Sequence, residues 1–490
     1  MNELNLYNKK ILLLGFGAVQ KCILYYLEHF FNYNINNVFI VDKNYDTIYK
    51  YIHILKPNFV LNNIYVIDID SLNFISFLNT IKFSSGDIII DLTTNSNTYF
   101  FIKTCIDYNY YYVNTSIEDH SDKLSGTSIY LQHQIVRDLF KNKRCKSNIL
   151  VEMGQNSGFI NFLFLYSLNY LYHLHHGLIV ETENFIEFDS YDKQNILDAI
   201  DIFKVGTMLS SEIDGIKLNE PNFDGSIFYN SWSVEGFVSE AFDKCELIYG
   251  TQNNYCTPHI NNSLIDVLKT KYVNNHDEYK TLFLNELSIN CVMNSICPIP
   301  KHNNEFEFVE YTGSLIHHGE MFELANYFGN KCPFISYVYK FNDYLKQNII
   351  NYSNNYKNDC NGIELKFNLH NNSNYSVFNN IDFNTFGFDS IGCTLFCQNN
   401  DVYYCGTILQ STDVKDNFFT PTIIQVMYGL LSGLSFILED CNNNKGLFFP
   451  TDLNPNYIFN KSKPFYGKFI MKKIHNFNYK NLNVSVNKII

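Results

Sequence analysis

The chain has 490 residues, 46% of them hydrophobic and 17% aromatic, enough for two or three domains with large cores. Its 36 Lys and Arg against 49 Asp and Glu give a net charge of −13, with no long basic run. Phosphate binding needs clustered positive charge, so nucleic acid is excluded as a partner, and an acidic protein suits cationic small molecules better.

Taken in chain order, the first residues carry neither the basic segment nor the apolar core of a secretory signal. Residues 10–14 form a short apolar strand that ends in Gly15-Phe16-Gly17, and Ala18 to Phe31 has helical spacing. Further strands are expected at 37–42, 65–68, 87–92, 111–115 and 149–151, the last after a polar break at 141–148. Continuous apolar strands alternating with helices indicate a parallel sheet covered on both faces. From 200 to 410 strand-like segments dominate, interrupted by Asn-rich stretches at 351–362 and 369–375, and helical spacing returns at 422–438. The apolar runs 158–174 and 422–438 carry polar residues inside and fall short of a membrane span, so both are read as buried core helices and no membrane partner is expected. The expected fold is α/β: a Rossmann-type parallel-sheet domain over 1–150 and an α+β catalytic and dimerisation domain over 151–415. A helix near 420–440 is expected to pack back on the first domain.

Thirteen scattered cysteines without a CxxC pair or zinc-type spacing indicate reduced thiols, a cytoplasmic setting and no metal site. Only Arg137 and Arg144 are arginines, so an anion site must use backbone amides, helix N-termini or lysine.

Gly15-Phe16-Gly17-Ala18-Val19-Gln20 follows a strand and opens a helix, and Asp42 closes the next strand, which is the context of a dinucleotide fingerprint. The first glycine permits the tight turn, the second admits a pyrophosphate, and the helix N-terminus supplies amide donors. Gln20 replaces the third glycine, which weakens the signal; a Rossmann-like domain without cofactor is the alternative. Asp42 would accept hydrogen bonds from the adenine ribose and repel a 2′-phosphate, which favours NAD over NADP.

The only tryptophan, Trp232, lies in Asn230-Ser231-Trp232-Ser233-Val234-Glu235-Gly236-Phe237-Val238-Ser239-Glu240. An indole face beside carboxylates fits a cation site; a core tryptophan with surface glutamates is the plainer alternative. In an extended strand, even spacing puts Trp232 and Glu240 on one face and turns Glu235 away.

Several blocks occur in an order that resembles the homospermidine synthase family, among the saccharopine dehydrogenase-like reductases. They are residues 15–19 (GFGAV), 113–118 (VNTSIE), 154–158 (GQNSG, near a family form GANPG), 230–240, 313–320 (GSLIHHGE) and 423–433. Gln20, Ser157 and Asp119 depart from the usual pattern. The resemblance implies a redox-neutral transfer of an aminobutyl group. Putrescine is oxidised to an imine with NAD, a second amine displaces ammonia, and reduction of the new imine gives homospermidine. Spermidine serves as donor in some members, with release of 1,3-diaminopropane. A homodimer is also implied. By the same resemblance Glu118 and Glu212 would face the polyamine; the cation-site reading adds Trp232 and Glu240, the turn before the long helix adds Asn156, and Asp389, before Ser390-Ile391-Gly392, is a further candidate acid. Trp232, Glu240, Glu212, His318 and Glu118 would carry the catalysis. Gly15, Phe16, Gly17, Ala18, Val19, Asp42, Thr93, Thr115 and Asn156 would hold NAD. His318 is placed as a residue able to pass protons near neutral pH, and His317 has no assigned role. Substitution of Trp232 by Ala is expected to lower turnover more than it disturbs folding. Two rivals stand: an NAD(P)-dependent imine or amino-acid dehydrogenase of the saccharopine or carboxynorspermidine type, and a non-catalytic NAD sensor. The shortage of arginine argues against the carboxylated substrates of the first.

Overall fold

The computed structural model describes residues 4–94, 96–117, 129–140, 146–218, 227–250, 256–267, 279–301, 305–355, 374–377, 385–414, 418–439, 446–475, 477 and 482–488. The chain forms two units: Met1–Phe159 with Ile423–Ser462, and Ile160–Thr422 with Lys463–Ile490. The first unit thus runs past residue 150 to Phe159 and takes in most of the helix Pro421–Glu439, while the end of the chain belongs to the second.

The first unit is built on a seven-stranded sheet. In spatial order its strands are Leu447–Phe448, Ile149–Leu150, Tyr111–Asn114, Ile88–Asp91, Ile11–Leu14, Val38–Asp42 and Ile64–Val66. Every neighbouring pair is parallel. Counted along the chain this is the 3-2-1-4-5-6 order of a doubly wound Rossmann fold, extended by one strand. Ile11–Leu14 and Ile88–Asp91 are almost wholly buried, as the apolar runs require when helices cover both faces. The strand order reverses between these two strands, and ligands of open α/β sheets bind at such a switch point. Gly15 follows the first of them there.

Pro421–Glu439 is the one helix among the described residues long and apolar enough to cross a membrane, and 89% of its most apolar window is buried. Its Gly429 lies so close to the Gly154 carbonyl that a β-carbon would sit 2.1 Å from the oxygen. Backbone meets backbone at that point, which is why this segment belongs to the first unit.

The second unit carries a mixed eleven-stranded sheet. At its centre Phe334–Lys340 runs parallel to Val205–Asp214, which pairs antiparallel with Phe388–Cys397, itself antiparallel to Val402–Gln410. Every residue of Val205–Asp214 is buried, polar ones included. Phe159–His175 is a largely buried helix, as the apolar run predicted; its Ser167 hydroxyl lies 2.9 Å from the Cys393 thiol on the sheet. All ten described cysteines are free thiols.

Candidate active site: a glycine turn in one unit and a buried acid cluster in the other

The turn after Ile11–Leu14 is shaped by backbone geometry. Gly15 adopts φ +76°, and a β-carbon there would come within 2.8 Å of the Leu92 carbonyl oxygen. Gly17 is the N-cap of helix Ala18–Tyr26, no side chain caps that helix end, and a β-carbon at Gly17 would meet nothing within 4 Å. The space above an uncapped helix N-terminus is therefore open where a pyrophosphate would approach its amides. Asp42 Oδ2 accepts the Phe16 amide at 2.6 Å and Oδ1 accepts the Asn44 amide at 2.7 Å, so this carboxylate ties the turn to the end of the second strand.

Several neighbours differ in role from the sequence expectation. The Phe16 side chain is wholly buried, so it belongs to the core and only its backbone borders the turn. Thr93 gives its hydroxyl and its amide to Asp91, at 2.5 and 3.0 Å, and its backbone nitrogen flanks Gly15. Asp91 also accepts the Tyr112 hydroxyl at 2.7 Å, and burial raises its pKa above the usual carboxylate range. Thr115 packs its methyl over Gly154, in the turn that contains Asn156. Ala18 and Val19 form the half-buried first turn of the helix, and Gln20, wholly buried, fills the position of the third glycine.

In the second unit the site is made of side chains. Strand alternation puts Glu212 and Asp214 on one face of Val205–Asp214, and the ladder sets Asp389 directly opposite Asp214 and Tyr339 opposite Glu212. Glu212, Asp214 and Asp389 are all buried. Tyr337 donates to Glu212 Oε2 at 2.8 Å. Asp214 accepts Asn342 Nδ2 at 2.9 Å, the Tyr339 hydroxyl at 3.4 Å, the Ser231 hydroxyl, and the Ile216 amide at 3.0 Å. Asp389 Oδ1 is buried and accepts no hydrogen bond.

Burial is the main reason that all three carboxyls titrate above their ordinary range. Glu212 is pushed up to about 8, with the Tyr337 hydrogen bond and His318 opposing and Asp214 and Glu320 reinforcing the rise. Burial raises Asp214 as well, against the hydrogen bonds it accepts. Asp389 is raised well above the carboxylate range by burial and then by the charges of Glu212 and Asp214. A buried group of like charges favours the neutral acids until a cation arrives. Among the described residues no group of His, Cys, Asp and Glu is arranged to hold a metal ion.

Trp232 and Glu240 do not share an extended strand, as the spacing argument had it. Ser233 caps a helix, Val234–Ala241, by accepting the Gly236 amide at 3.0 Å. The cap follows from Val234, Phe237, Val238 and Ala241, all buried, which recur at helical spacing and turn the chain away from β structure. Before the cap, Trp232 Nε1 donates to the Tyr339 hydroxyl at 3.2 Å. At the other end of the helix, Glu240 Oε1 lies 3.4 Å from His318 Nε2. Glu235 falls in the helix's first turn, where a negative charge favours the dipole.

His318 Nδ1 meets Glu320 Oε2 at 2.6 Å, so both ring nitrogens face carboxylates. Burial disfavours the imidazolium, but Glu320 and Glu240 outweigh it and lift His318 well above its usual pKa. The two carboxylates on either side of the ring thus favour its imidazolium form. It stands edge-on to Tyr337, with ring centroids 5.3 Å apart. His317 lies 3.2 Å from the Ser288 hydroxyl. Glu118 lies outside the described residues.

The structure therefore gathers Glu212, Asp389, Trp232, Glu240 and His318 in the second unit, and Gly15, Gly17, Asp42, Thr93, Thr115 and Asn156 in the first. It adds Asp214, Tyr337, Tyr339, Asn342, Ser231 and Glu320, which the sequence reading missed. Glu212 and Asp214 stand two apart in an otherwise apolar and small-residue strand, and that signal was present to be read.

A doubly wound nucleotide-binding fold, a glycine turn at its switch point and a buried acid cluster define the class: a Rossmann-type protein with a second, α+β unit. Residues 11–155 match the family model for the saccharopine dehydrogenase NADP binding domain. A homospermidine synthase of Mesorhizobium japonicum is 20% identical over 475 residues, covering 93% of this chain and 88% of that one. The crystal structure of the homospermidine synthase of Legionella pneumophila in complex with NAD aligns with a TM-score of 0.74 at 18% identity, over 97% of this chain and 94% of that one. Over nearly its whole length the chain is similar to homospermidine synthases, and its residues 11–155 are similar to a saccharopine dehydrogenase-type nucleotide-binding domain.

Proposed function

We propose that the protein is an NAD-dependent homospermidine synthase that transfers an aminobutyl group from putrescine, or from spermidine, to a second diamine. The observation that carries this reading is the acid cluster. Glu212, Asp214 and Asp389 occupy one buried sheet face, with Trp232 joined to Asp214 through Tyr339. A carboxyl held neutral by burial becomes favourable as a carboxylate when an ammonium enters beside it, so the cluster suits a polyamine and disfavours an anion.

The first unit fits NAD at the Gly15–Gly17 turn, where Gly17 leaves the open space and the helix Ala18–Tyr26 offers its uncapped N-terminus. The family description names NADP, but Asp42 stands at the end of the second strand, where its negative charge opposes a 2′-phosphate and favours NAD in this chain. Bound NAD supplies the acceptor for the hydride removed from the amine carbon and the donor for its return.

The chain's own residues handle charge and protons. Asp389, with its unoccupied Oδ1, and Glu212 bind the ammonium groups. Glu212, with its pKa near 8, releases its own proton to solvent as the ammonium enters and, as a carboxylate, then takes a proton from the amine that must be neutral to be oxidised or to attack the imine. The exposed part of the Trp232 indole stabilises the iminium by about 0.5–2 kcal/mol. His318, between Glu240 and Glu320, gives each of these two further acids a partner beside the site.

Incubation of the purified protein with putrescine and catalytic NAD, followed by mass spectrometry, tests the reading. The expected products are homospermidine and ammonia, without net NADH. Stoichiometric NADH with no C8 triamine would instead assign an ordinary amine dehydrogenase.

A further inference from the structure

We propose that Tyr339 and Asp214 form a positioning relay that fixes the orientation of the Trp232 indole, and that Asp214, unlike Glu212 and Asp389, does not itself bind the polyamine. The second half of this statement rests on the proposed polyamine site; the first half does not.

The three acids share one sheet face, yet their hydrogen bonding differs sharply. Asp214 accepts from Ser231, Asn342, Tyr339 and the Ile216 amide, so both its oxygens are engaged by the protein. Asp389 has Thr422 and the Ser390 backbone beside its carboxyl but keeps a buried Oδ1 that no protein group bonds, and Tyr337 bonds Glu212 through Oε2. A carboxylate with four protein donors has little left for a ligand ammonium, whereas Asp389 keeps a lone pair available.

Two of the groups on Asp214 lead to the indole. Ser231 is the residue before Trp232 and binds Asp214 through its hydroxyl, which fixes the backbone that carries the indole. Tyr339 accepts the indole N–H at 3.2 Å and points its own hydroxyl at Asp214, 3.4 Å away. The indole nitrogen only donates, so the Tyr339 oxygen accepts from it and the Tyr339 proton is left to point at Asp214 Oδ2. Burial, with the charges of Asp214 and Glu212, raises Tyr339 well above its usual pKa and keeps that proton in place.

The far side of the ring is bounded too. Phe237 stands edge-on to the indole at 6.4 Å, and the Cα of Gly236 lies so near that a β-carbon there would be 3.0 Å from Trp232 Cζ3. A cation–π contact depends on which face is presented, so an indole free to rotate would lose affinity without losing any atom of the site.

Trp232 is the only tryptophan, so its fluorescence and its single indole N–H resonance report this ring alone. Tyr339→Phe removes the relay and keeps the ring volume. The expected results are a lower emission anisotropy and greater acrylamide quenching in the free protein, and about 3- to 10-fold weaker putrescine binding. Unchanged anisotropy and quenching would overturn the relay even if Trp232→Phe abolishes putrescine binding, in which case the polyamine reading stands without it. Loosened fluorescence, with putrescine binding that Trp232→Phe leaves intact, would uphold the positioning and overturn the polyamine role of the indole. Glu212→Gln and Asp389→Asn should each cost more putrescine affinity than Ser231→Ala, whose effect should be on the fluorescence; the reverse order would overturn the division among the acids. Should Tyr339→Phe not fold, the wild-type indole proton decides: slow exchange in D2O at neutral pH supports the relay, and exchange at the rate of a free indole sinks it.

Discussion

The two candidate sites are built from opposite materials. In the first unit the nucleotide site is backbone: a glycine at positive φ, a second glycine under open space, a helix end without a side-chain cap. In the second unit the site is side chain: acids, phenols, an indole and an imidazolium on strands and helices far apart in sequence. The contrast follows from the charges to be held. A pyrophosphate is large and anionic, and amide dipoles can surround it without any ionised residue in a chain with two arginines. An ammonium is compact and cationic, and needs localised negative charge that a backbone cannot supply. Changes that remove a charge should therefore be severe in the second unit, and changes that add a methyl should be severe in the first.

The largest effect is expected from Glu212→Gln. The amide keeps the shape and can still accept from Tyr337, but it cannot ionise. Putrescine-dependent turnover should fall by roughly 100-fold or more, the scale of a lost acid–base group. Stability should move the other way. A carboxyl whose folded pKa is about 8 contributes stability that is complete below its unfolded value and is lost as pH rises through 8. Each such group costs about 1.4 kcal/mol per pH unit across that window. Asp214 and Asp389 are raised as well and act with the same sign. The wild-type melting temperature should fall between pH 5 and 8, and Glu212→Gln should flatten that fall while matching the wild type near pH 5. A variant that melts below the wild type at pH 8 would show that Glu212 is already ionised in the free protein.

Gly17→Ala and Gly15→Ala test the other side of the comparison. At Gly17 a β-carbon meets no atom, so the alanine variant should fold as the wild type does. The methyl would occupy the approach to the helix amides, and NAD affinity should fall by about tenfold or more, read by calorimetry. Gly15→Ala adds backbone strain at φ +76° and a contact with Leu92, so it should lose NAD and melting temperature together, by about 1–3 kcal/mol of stability. Equal effects on stability from the two variants would break the distinction between a turn glycine and an approach glycine.

How much of this was legible in the sequence follows from the same contrast. The parallel sheet, the glycine turn and Asp42 were readable because a backbone site is contiguous: Gly15, Gly17 and the helix lie in one stretch, and spacing is itself the signal. The acid cluster was only half readable. Trp232 stood out as the only tryptophan, Glu212 by its family match and Asp389 as a candidate acid, but Tyr339 and Asn342, which come from another strand and the residues just after it, carried no signal. No local pattern announces that Asp389 will stand across from Asp214; that register belongs to the sheet. The helix Val234–Ala241 was a different kind of miss. Ser233, then Glu235 in the first turn and apolar residues at 234, 237, 238 and 241, spell a capped amphipathic helix, whereas even spacing of Trp232 and Glu240 alone fits a strand equally well. His318 came from the family match, but its two carboxylate partners were not legible, because Glu240 and Glu320 reach it from two different helices.

The smallest effect, and the sharpest separation of the two sites, is expected from Gly236→Ala. This is the same chemical change as Gly17→Ala, one methyl, made beside the indole. Gly236 lies in the first turn of a helix, where alanine is favoured by about 1 kcal/mol over glycine, so the backbone gains. The β-carbon would fall 3.0 Å from Trp232 Cζ3, tighter than an ordinary contact, and the half-exposed indole can give by a few tenths of an ångström where a buried carbonyl could not. The net change in melting temperature should be small. Putrescine affinity should drop about two- to threefold, since a modest displacement takes only part of a cation–π contact of about 1 kcal/mol. Tryptophan emission should shift with it. A loss of binding as complete as the one expected for NAD in Gly17→Ala would mean that the polyamine site, like the nucleotide site, is set by backbone clearance, and the contrast between the two would fail.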